Sequence, residues 1–419
     1  MSTLGIQTSK SASSREEHDK TVRIGIIGMG GRGCSLLRIL LGLENTQIPA
    51  ICDINPKRFD YALKLFQDAG HPKPDLYDKN EYDYENVISR DDLDAVIIAT
   101  PWNWHAKMAV SGMKSGKYVG VEVPAAQSVE ECWELIDAFE ETGVPCMMLE
   151  NWSFRRDNLA VLNMIREGLL GETVHSQCSY SHHCITYFFD SEGKPRWQGE
   201  FLLQYNRDQY PTHGLGPVLS WLNINCGDRF DSLVSVSTDS FGVEQYYREH
   251  FTKDGAVKPP QVQQGDIVST LIKTKLGKTI YITNDMLLPR PYDNRWMVQG
   301  TKGIYSFERN SIYLEGMSLQ SHEWEEFAPY QEKYEHRFWK NAPADVEQLG
   351  HGGPDYIELA EFVRAVRTQS PTPLDLYDSV TMSSVVALSG QSIAQKSAPV
   401  PCPDFTRGKW KTNKPRFGV

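Results

Sequence analysis

VRIGIIGMGGRGCSLLRILLGLENTQIPAICD, residues 22–53, decides the fold. Val22, Ile24, Ile26 and Ile27 form a β-branched run that suits a buried strand. Gly28-Met29-Gly30-Gly31-Arg32-Gly33 follows at once and matches G-x-G-x-x-G in full. Leu36, Leu37, Ile39 and Leu40 then predict a helix, and Ile48, Ala50 and Ile51 a second strand ending on Asp53. The 20 residues from Gly33 to Asp53 are the separation that a dinucleotide-binding fingerprint requires. Gly28 permits the tight turn, Gly30 lets the backbone approach a pyrophosphate, and Gly33 lets helix and strand pack closely. Unpaired N–H groups at the helix N-terminus complete the phosphate seat. Asp53 suits the adenosine ribose, and its charge favours NAD over NADP, with Lys57 and Arg58 nearby as a counterweight. The competing explanation is a glycine-rich turn in some other α/β protein; strand, glycines, helix, strand and acid together argue against it.

Upstream, residues 1–20 are polar and lack an apolar core, so a disordered tail is expected rather than an intact secretory signal. That places the chain in the cytoplasm, or outside the cell with its leader removed. Downstream, the alternation of strand and helix continues. A helix is expected over 58–69, a strand over 94–100, a helix to Ser115, a strand over 117–124, a helix over 129–142 and a strand over 146–150. Loops at the C-terminal ends of such strands face the cofactor. They nominate Trp102, Trp104, His105, Glu122, Val123 and Asn151, beside Met29, Gly31 and Arg32 of the glycine loop. Packing is the competing role for the two tryptophans, and support of the following helix for His105.

After Asn151 the pattern changes. One more helix is expected over 156–168, then strands over 173–182, 233–241, 266–275, 279–287, 295–300 and 303–308. Short turns between most of them predict a large, mostly antiparallel sheet, with late helices at 354–368 and 377–396 packing back on the body. The fold class is therefore α/β: a Rossmann domain over 21–150, and an α+β domain with an open sheet over 151–419 that binds substrate.

Bulk properties agree. A chain of 419 residues exceeds one typical core. A net charge of −11 disfavours nucleic acid or an anionic membrane surface as partner. No stretch approaches the roughly 20 apolar residues of a membrane span. The eight cysteines are scattered with no zinc spacing, so they read as reduced, and no metal site is expected. His182-His183 beside Cys184 is a weak candidate, because adjacent strand side chains point to opposite faces.

The second informative stretch is Tyr205-Asn-Arg207-Asp-Gln-Tyr210-Pro-Thr212-His213-Gly-Leu-Gly-Pro217. It is polar, punctuated by Pro and Gly, and runs into a helix. A histidine held at such a helix entrance suits general acid–base work, because imidazole titrates near neutrality. A helix-capping histidine is the alternative.

The glycine loop, Asp53 and the Glu122-Val123-Pro124 turn resemble the glucose–fructose oxidoreductase/inositol dehydrogenase superfamily. Many of its members carry a catalytic lysine at the middle of that turn, where this chain has Val123. Pro101-Trp-Asn-Trp-His105, Gly120-Val-Glu-Val123, Glu150-Asn151, Tyr210-Pro-Thr-His-Gly214, Arg290-Pro-Tyr292, Gly350-His-Gly-Gly353 and Asp404-Phe-Thr-Arg-Gly-Lys-Trp410 together resemble the NAD-dependent glycosidases of glycoside hydrolase family 109. The resemblance spans residues 21–412.

That family's type activity is α-N-acetylgalactosaminidase. The resemblance implies a tightly bound NAD, regenerated in each turnover, in place of the paired carboxylates of most glycosidases. Oxidation at C3 of the sugar acidifies the C2 proton; a base removes it, and the C1 substituent is eliminated. Water then adds at C1, C2 is reprotonated and C3 is reduced again. His213 and Tyr180 are implied for proton transfer near C2 and C3, with their roles unseparated. Tyr210, Thr212 and Tyr292 are implied as sugar contacts, with His351 nearby. The family also has an arginine where Gln198 stands here, so Arg196 or Arg207 is expected to replace it. The implied partner is a small molecule or glycan with a terminal amino sugar, and a homo-oligomer remains open. A sugar dehydrogenase of the same superfamily, and an NAD or sugar sensor without catalysis, are the alternatives.

Overall fold

The computed structural model describes residues 20–252 and 260–419; the expected N-terminal tail, residues 1–19, lies outside the described residues. Six strands form an all-parallel sheet: β1 (Val22–Ile27), β2 (Thr46–Cys52), β3 (Asp75–Tyr77), β4 (Ala95–Ile98), β5 (Tyr118–Val121) and β6 (Cys146–Met148). Their order is β3-β2-β1-β4-β5-β6, the doubly wound arrangement with its crevice at the strand C-terminal ends between β1 and β4. β1, β4, β5 and β6 are apolar almost throughout because helices cover both faces. The three-residue β3 is an edge strand too short to show a sequence period, and it was not expected.

The second sheet has nine strands. β7 (Thr173–Ser181), β8 (Phe230–Ser237), β9 (Ile267–Thr274), β10 (Thr279–Asp285), β11 (Met297–Gly300) and β12 (Gly303–Ser306) match the six expected strands. β13 (Ser311–Leu314), β14 (Glu325–Glu326) and β15 (Val400–Pro401) extend both edges, giving the order β14-β13-β12-β11-β7-β10-β9-β8-β15. Every neighbouring pair is antiparallel except β7 with β10. One face is packed and the other is open, with Leu271 50% and Val236 54% exposed.

The late helices Pro354–Arg367 and Leu376–Ala394 do pack back on the body. The second is buried on nearly all sides, and its serines make this possible. The hydroxyl of Ser379 accepts the N–H of Met148, and that of Ser383 accepts the N–H of Ala125. Small side chains bring the helix close while satisfying backbone donors at the end of β6 and beyond β5. All eight cysteines are free, and all but Cys226 are buried. Among the described residues no helix is long and apolar enough to cross a membrane, and no group of three or more His, Cys, Asp or Glu could hold a metal ion.

Candidate active site

The glycine loop joins β1 to the helix Gly31–Gly42. Gly28 has φ +96°, and a Cβ there would lie 2.4 Å from the Ala99 carbonyl oxygen. A Cβ on Gly33 would lie 1.9 Å from the carbonyl oxygen of Gly28. Glycine is therefore required at both positions, one for the turn and one for the close approach. Nothing lies within 4 Å of a Cβ built on Gly30 or Gly31, so the face above the loop is open for a pyrophosphate. Asp53 Oδ2 accepts the Met29 N–H at 2.7 Å and Oδ1 the Asn55 N–H at 2.8 Å. Its carboxylate thus stands at the rim of the loop with lone pairs to spare for ribose hydroxyls. These residues fit a dinucleotide.

Arg32 ties this loop to the rest of the site. Its Nε donates to Glu122 Oε1 at 2.6 Å and its Nη1 to Asp355 Oδ2 at 2.7 Å. Asp355, fully buried in the first turn of Pro354–Arg367, also accepts from Asn151 Nδ2 at 2.6 Å and pairs with His351 Nδ1 at 2.8 Å. Burial pushes the Asp355 carboxyl up, but Arg32 and His351 outweigh it and hold the group well below the usual carboxylate range. Glu358, one turn further on, is buried with neither oxygen hydrogen-bonded, and burial pushes its carboxyl well above the ordinary value. Asn151 Oδ1 is buried with no hydrogen-bond partner, an acceptor left for a ligand.

A cleft opens beside Arg32 and Glu122, lined also by Thr100, Trp102, Val123, Tyr180, Tyr210, Trp197 and Gln198. Trp102 packs edge-on against Trp197 at 5.1 Å and tilted against Tyr210 at 5.7 Å. His105 also lines this cleft, nearly fully buried, its two ring nitrogens each 2.8 Å from a carbonyl oxygen, of Pro124 and of Thr100. It clamps two loops that shape the cleft, and burial lowers its pKa.

The expected catalytic residues gather here. Tyr180, near the end of β7, lies 5.3 Å from His213, 4.8 Å from Tyr210 and 5.9 Å from Tyr292, ring centre to ring centre. Its hydroxyl is 3.2 Å from His182 Nδ1. Burial pushes the phenols of Tyr180, Tyr210 and Tyr292 above their ordinary value, so all three are neutral donors. His213 enters the helix Thr212–Trp221, and its Nδ1 lies 2.8 and 3.0 Å from the two oxygens of Glu150. Thr212 Oγ1 is buried with no partner. Half-exposed His351 stands at the outer side, 5.6 Å from the Trp152 ring, which also meets His213 and Tyr292.

Two expectations, for Trp104 and Arg207, need correction. Trp104 turns away from the cleft: it packs on Tyr82 and Tyr84 with Lys107 over its ring, because positions two apart lie on opposite sides of a helix. Arg207 is buried and consumed by structure. It donates to Gln209 Oε1 at 3.0 Å, to the Gln127 carbonyl at 3.2 Å and to Gln127 Oε1 at 2.5 Å, and burial lowers it to about 10. Arg196 Nε donates to the Phe189 carbonyl at 3.1 Å, tying down its own loop. The cleft takes Trp197 and Gln198 from this region instead of a cation. Trp152 and Asp355 are further residues of the site, and Glu150, quoted only within the Glu150-Asn151 motif, joins them. Glu150-Asn151 at a strand C-terminus and Asp355 just after Gly352-Gly353 are the signals that mark them.

Asp208 supports the loop from below. It is buried, Oδ1 accepts the Tyr210 N–H at 3.1 Å, and Oδ2 has no partner. Burial raises its carboxyl from 3.8 to about 7. The folded state thus holds a proton that the unfolded chain releases, so this group's contribution is present below pH 4 and lost as pH rises through 7. Asp208→Asn should gain stability over the parent by about 1.4 kcal/mol per pH unit between pH 4 and pH 7, on the order of 4 kcal/mol in all, and no further above pH 7. Melting curves of both proteins across that range check this; a constant difference would contradict it.

Comparison with known proteins places the chain. Residues 154–412 match the glycosyl hydrolase 109 C-terminal domain, and residues 22–150 match the oxidoreductase family's NAD-binding Rossmann fold. This chain belongs to glycosyl hydrolase family 109. An alpha-N-acetylgalactosaminidase of Tannerella forsythia is 40% identical over 96% of this chain and 90% of its own length. A family 109 protein of Shewanella pealeana is 41% identical over 94% and 88%. Levoglucosan dehydrogenase in complex with NADH and levoglucosan shares the fold, with a TM-score of 0.69 at 19% identity over 92% of this chain and all of that one. Myo-inositol dehydrogenase of Lactobacillus casei, in complex with NAD(H) and myo-inositol, has a TM-score of 0.62 at 15% identity, over 92% and 99%. The chain is thus a family 109 glycoside hydrolase whose N-terminal domain is built for NAD.

Proposed function

We propose that this protein hydrolyses glycosides ending in α-N-acetylgalactosamine, with NAD held through turnover and restored at its end. One observation carries the reading. The cofactor loop's Arg32 meets Tyr180 and Tyr210 in a single cleft, with His213 packed directly against both tyrosines. The substrate class comes from the Tannerella forsythia relative's name.

The loop from Gly28 to Gly33 would seat the pyrophosphate and Asp53 the ribose, while Trp102, Glu122, Val123 and Asn151 would border the nicotinamide end. When bound, NAD supplies reversible oxidation at C3 of the sugar. Tyr180, a neutral phenol, donates a hydrogen bond to a sugar oxygen at C3 or to the leaving oxygen. His213 exchanges the C2 proton. Tyr210, Thr212 and Tyr292 fix the ring, Tyr292 and Trp152 offering aromatic faces. His351 sits at the rim toward the rest of the glycan.

Hydrolysis of p-nitrophenyl α-N-acetylgalactosaminide in D₂O tests this, with C2 of the released sugar followed by NMR. Deuterium at C2 without net NADH is expected. Release without C2 exchange would indicate another hydrolytic route. Net NADH with no release, across both anomers and several sugars, would indicate a dehydrogenase.

A further inference from the structure

We propose that Glu150 is the positioning carboxylate of His213: it accepts a hydrogen bond from Nδ1–H, leaves the Nε2 lone pair for the substrate, and holds the imidazolium once Nε2 has taken a proton. The inference rests on the glycosidase reading for its chemistry, and on geometry alone for the pairing.

Glu150 follows β6 and caps the short turn Asn151–Phe154. Its carboxylate is fully buried. Its hydrogen-bond donors among the described residues are the Trp152 N–H, at 3.2 Å, and His213 Nδ1. No lysine or arginine pairs with it among the described residues. A buried carboxylate without a cation is costly, so its pairing with a titratable ring has a use beyond stability.

The pair joins two rigid elements. Glu150 stands at the end of a strand, and His213 lies in the first turn of a helix. Gly216, one turn further along that helix, is what lets them meet. A Cβ there would lie 2.9 Å from Glu150 Cγ and 3.0 Å from Oε1. Trp296 Nε1 donates to the Gly214 carbonyl at 2.9 Å and fixes the same turn from the other side.

The chemistry needs such a pair. When the C2–H bond of the C3-oxidised sugar breaks, its proton goes to His213 Nε2. The electron pair remains as the enolate and then expels the C1 oxygen. Water adds at C1, the proton it sheds balancing the one the departing oxygen takes up, and Nε2, its proton exchanged with solvent, returns one to C2. The imidazolium forms as the C2 proton moves, so its attraction to Glu150 grows during the step and lowers the barrier rather than the ground state. Glu150 itself takes no proton. The neighbouring tyrosines are neutral phenols, which leaves the imidazole as the base.

Two measurements test this. Nitrogen-15 NMR of histidine-labelled full-length protein without substrate reads the tautomer, with His213→Gln assigning the signal. The neutral ring of His213 should carry its proton on Nδ1; a proton on Nε2 overturns the proposal, whatever the enzyme's activity. Glu150→Gln keeps the shape and removes the charge. It should lower kcat by about 10²–10⁴-fold, the contribution of a general acid–base group, with about 10⁴-fold known for a histidine-orienting carboxylate turned into an amide. KM and NAD retention should stay within about 3-fold, which separates positioning from uniform binding. Turnover within about 3-fold of the parent also overturns it. A parent that cleaves no glycoside would refute the glycosidase reading, while the tautomer would still decide the pairing.

Discussion

His213→Ala should retain nicotinamide and lose turnover by about 10³-fold or more, at the upper part of what general acid–base groups contribute. The dinucleotide loop and Asp53 do not touch this ring, so cofactor occupancy should be unchanged. The same substitution should also lower stability. It leaves Glu150 buried with only a backbone N–H as partner, and losing a hydrogen bond to a buried carboxylate costs about 1.5–3 kcal/mol. The two effects can be separated. His213→Ala combined with Glu150→Gln should recover most of the lost melting temperature, because an amide needs no cation, and should recover no turnover. Release and C2 deuteration measured beside melting curves settle the matter. Normal turnover in His213→Ala would remove the ring from the chemistry.

Asp355→Asn should be comparably damaging to the fold and to cofactor binding. Its carboxylate accepts from Arg32, Asn151 and His351 at once, and it is fully buried. An amide turns one accepting oxygen into a donor facing another donor and leaves Arg32 with Glu122 alone. The expected loss is about 3–5 kcal/mol, the cost of breaking a buried pair. Arg32 sits in the glycine loop, so NAD affinity should fall as well. The pH dependence carries a signature. The parent's Asp355 is held below its ordinary value, so its stabilisation is present above pH 4 and is lost as pH falls through the folded value. The gap between parent and variant should be constant from pH 6 to pH 8 and narrow in acid. Denaturant titrations at several pH values, with NAD fluorescence quenching in parallel, test both parts. An unchanged NAD affinity would separate the Asp355 network from the cofactor site.

Much of this was legible in the chain. Local pattern suffices for β1, the glycine loop, the following helix and Asp53, because a parallel βαβ unit is nearly all local chemistry. Six strands of the second sheet were legible from alternation and turns. β3, β13, β14 and β15 were not, being two to four residues long. The helices Trp197–Gln204 and Gly242–His250 also escaped, though Trp197 and Gln198 proved to line the cleft.

The site divides the same way. The sequence by itself marked the segments expected to face a cofactor and His213 at a helix entrance, because each sits in a recognisable local context; Tyr180 for proton transfer and Tyr210 for the sugar came from the family resemblance. Tertiary structure alone decided the partners. Glu150 is 63 residues from His213, and Asp355 is 323 residues from Arg32. No local period encodes such pairings. Arg207 and Trp104 show the converse: a suitable residue at a suitable place in sequence can be consumed by packing. Where a side chain ends depends on which element covers it, and that is set by the docking of whole helices and strands.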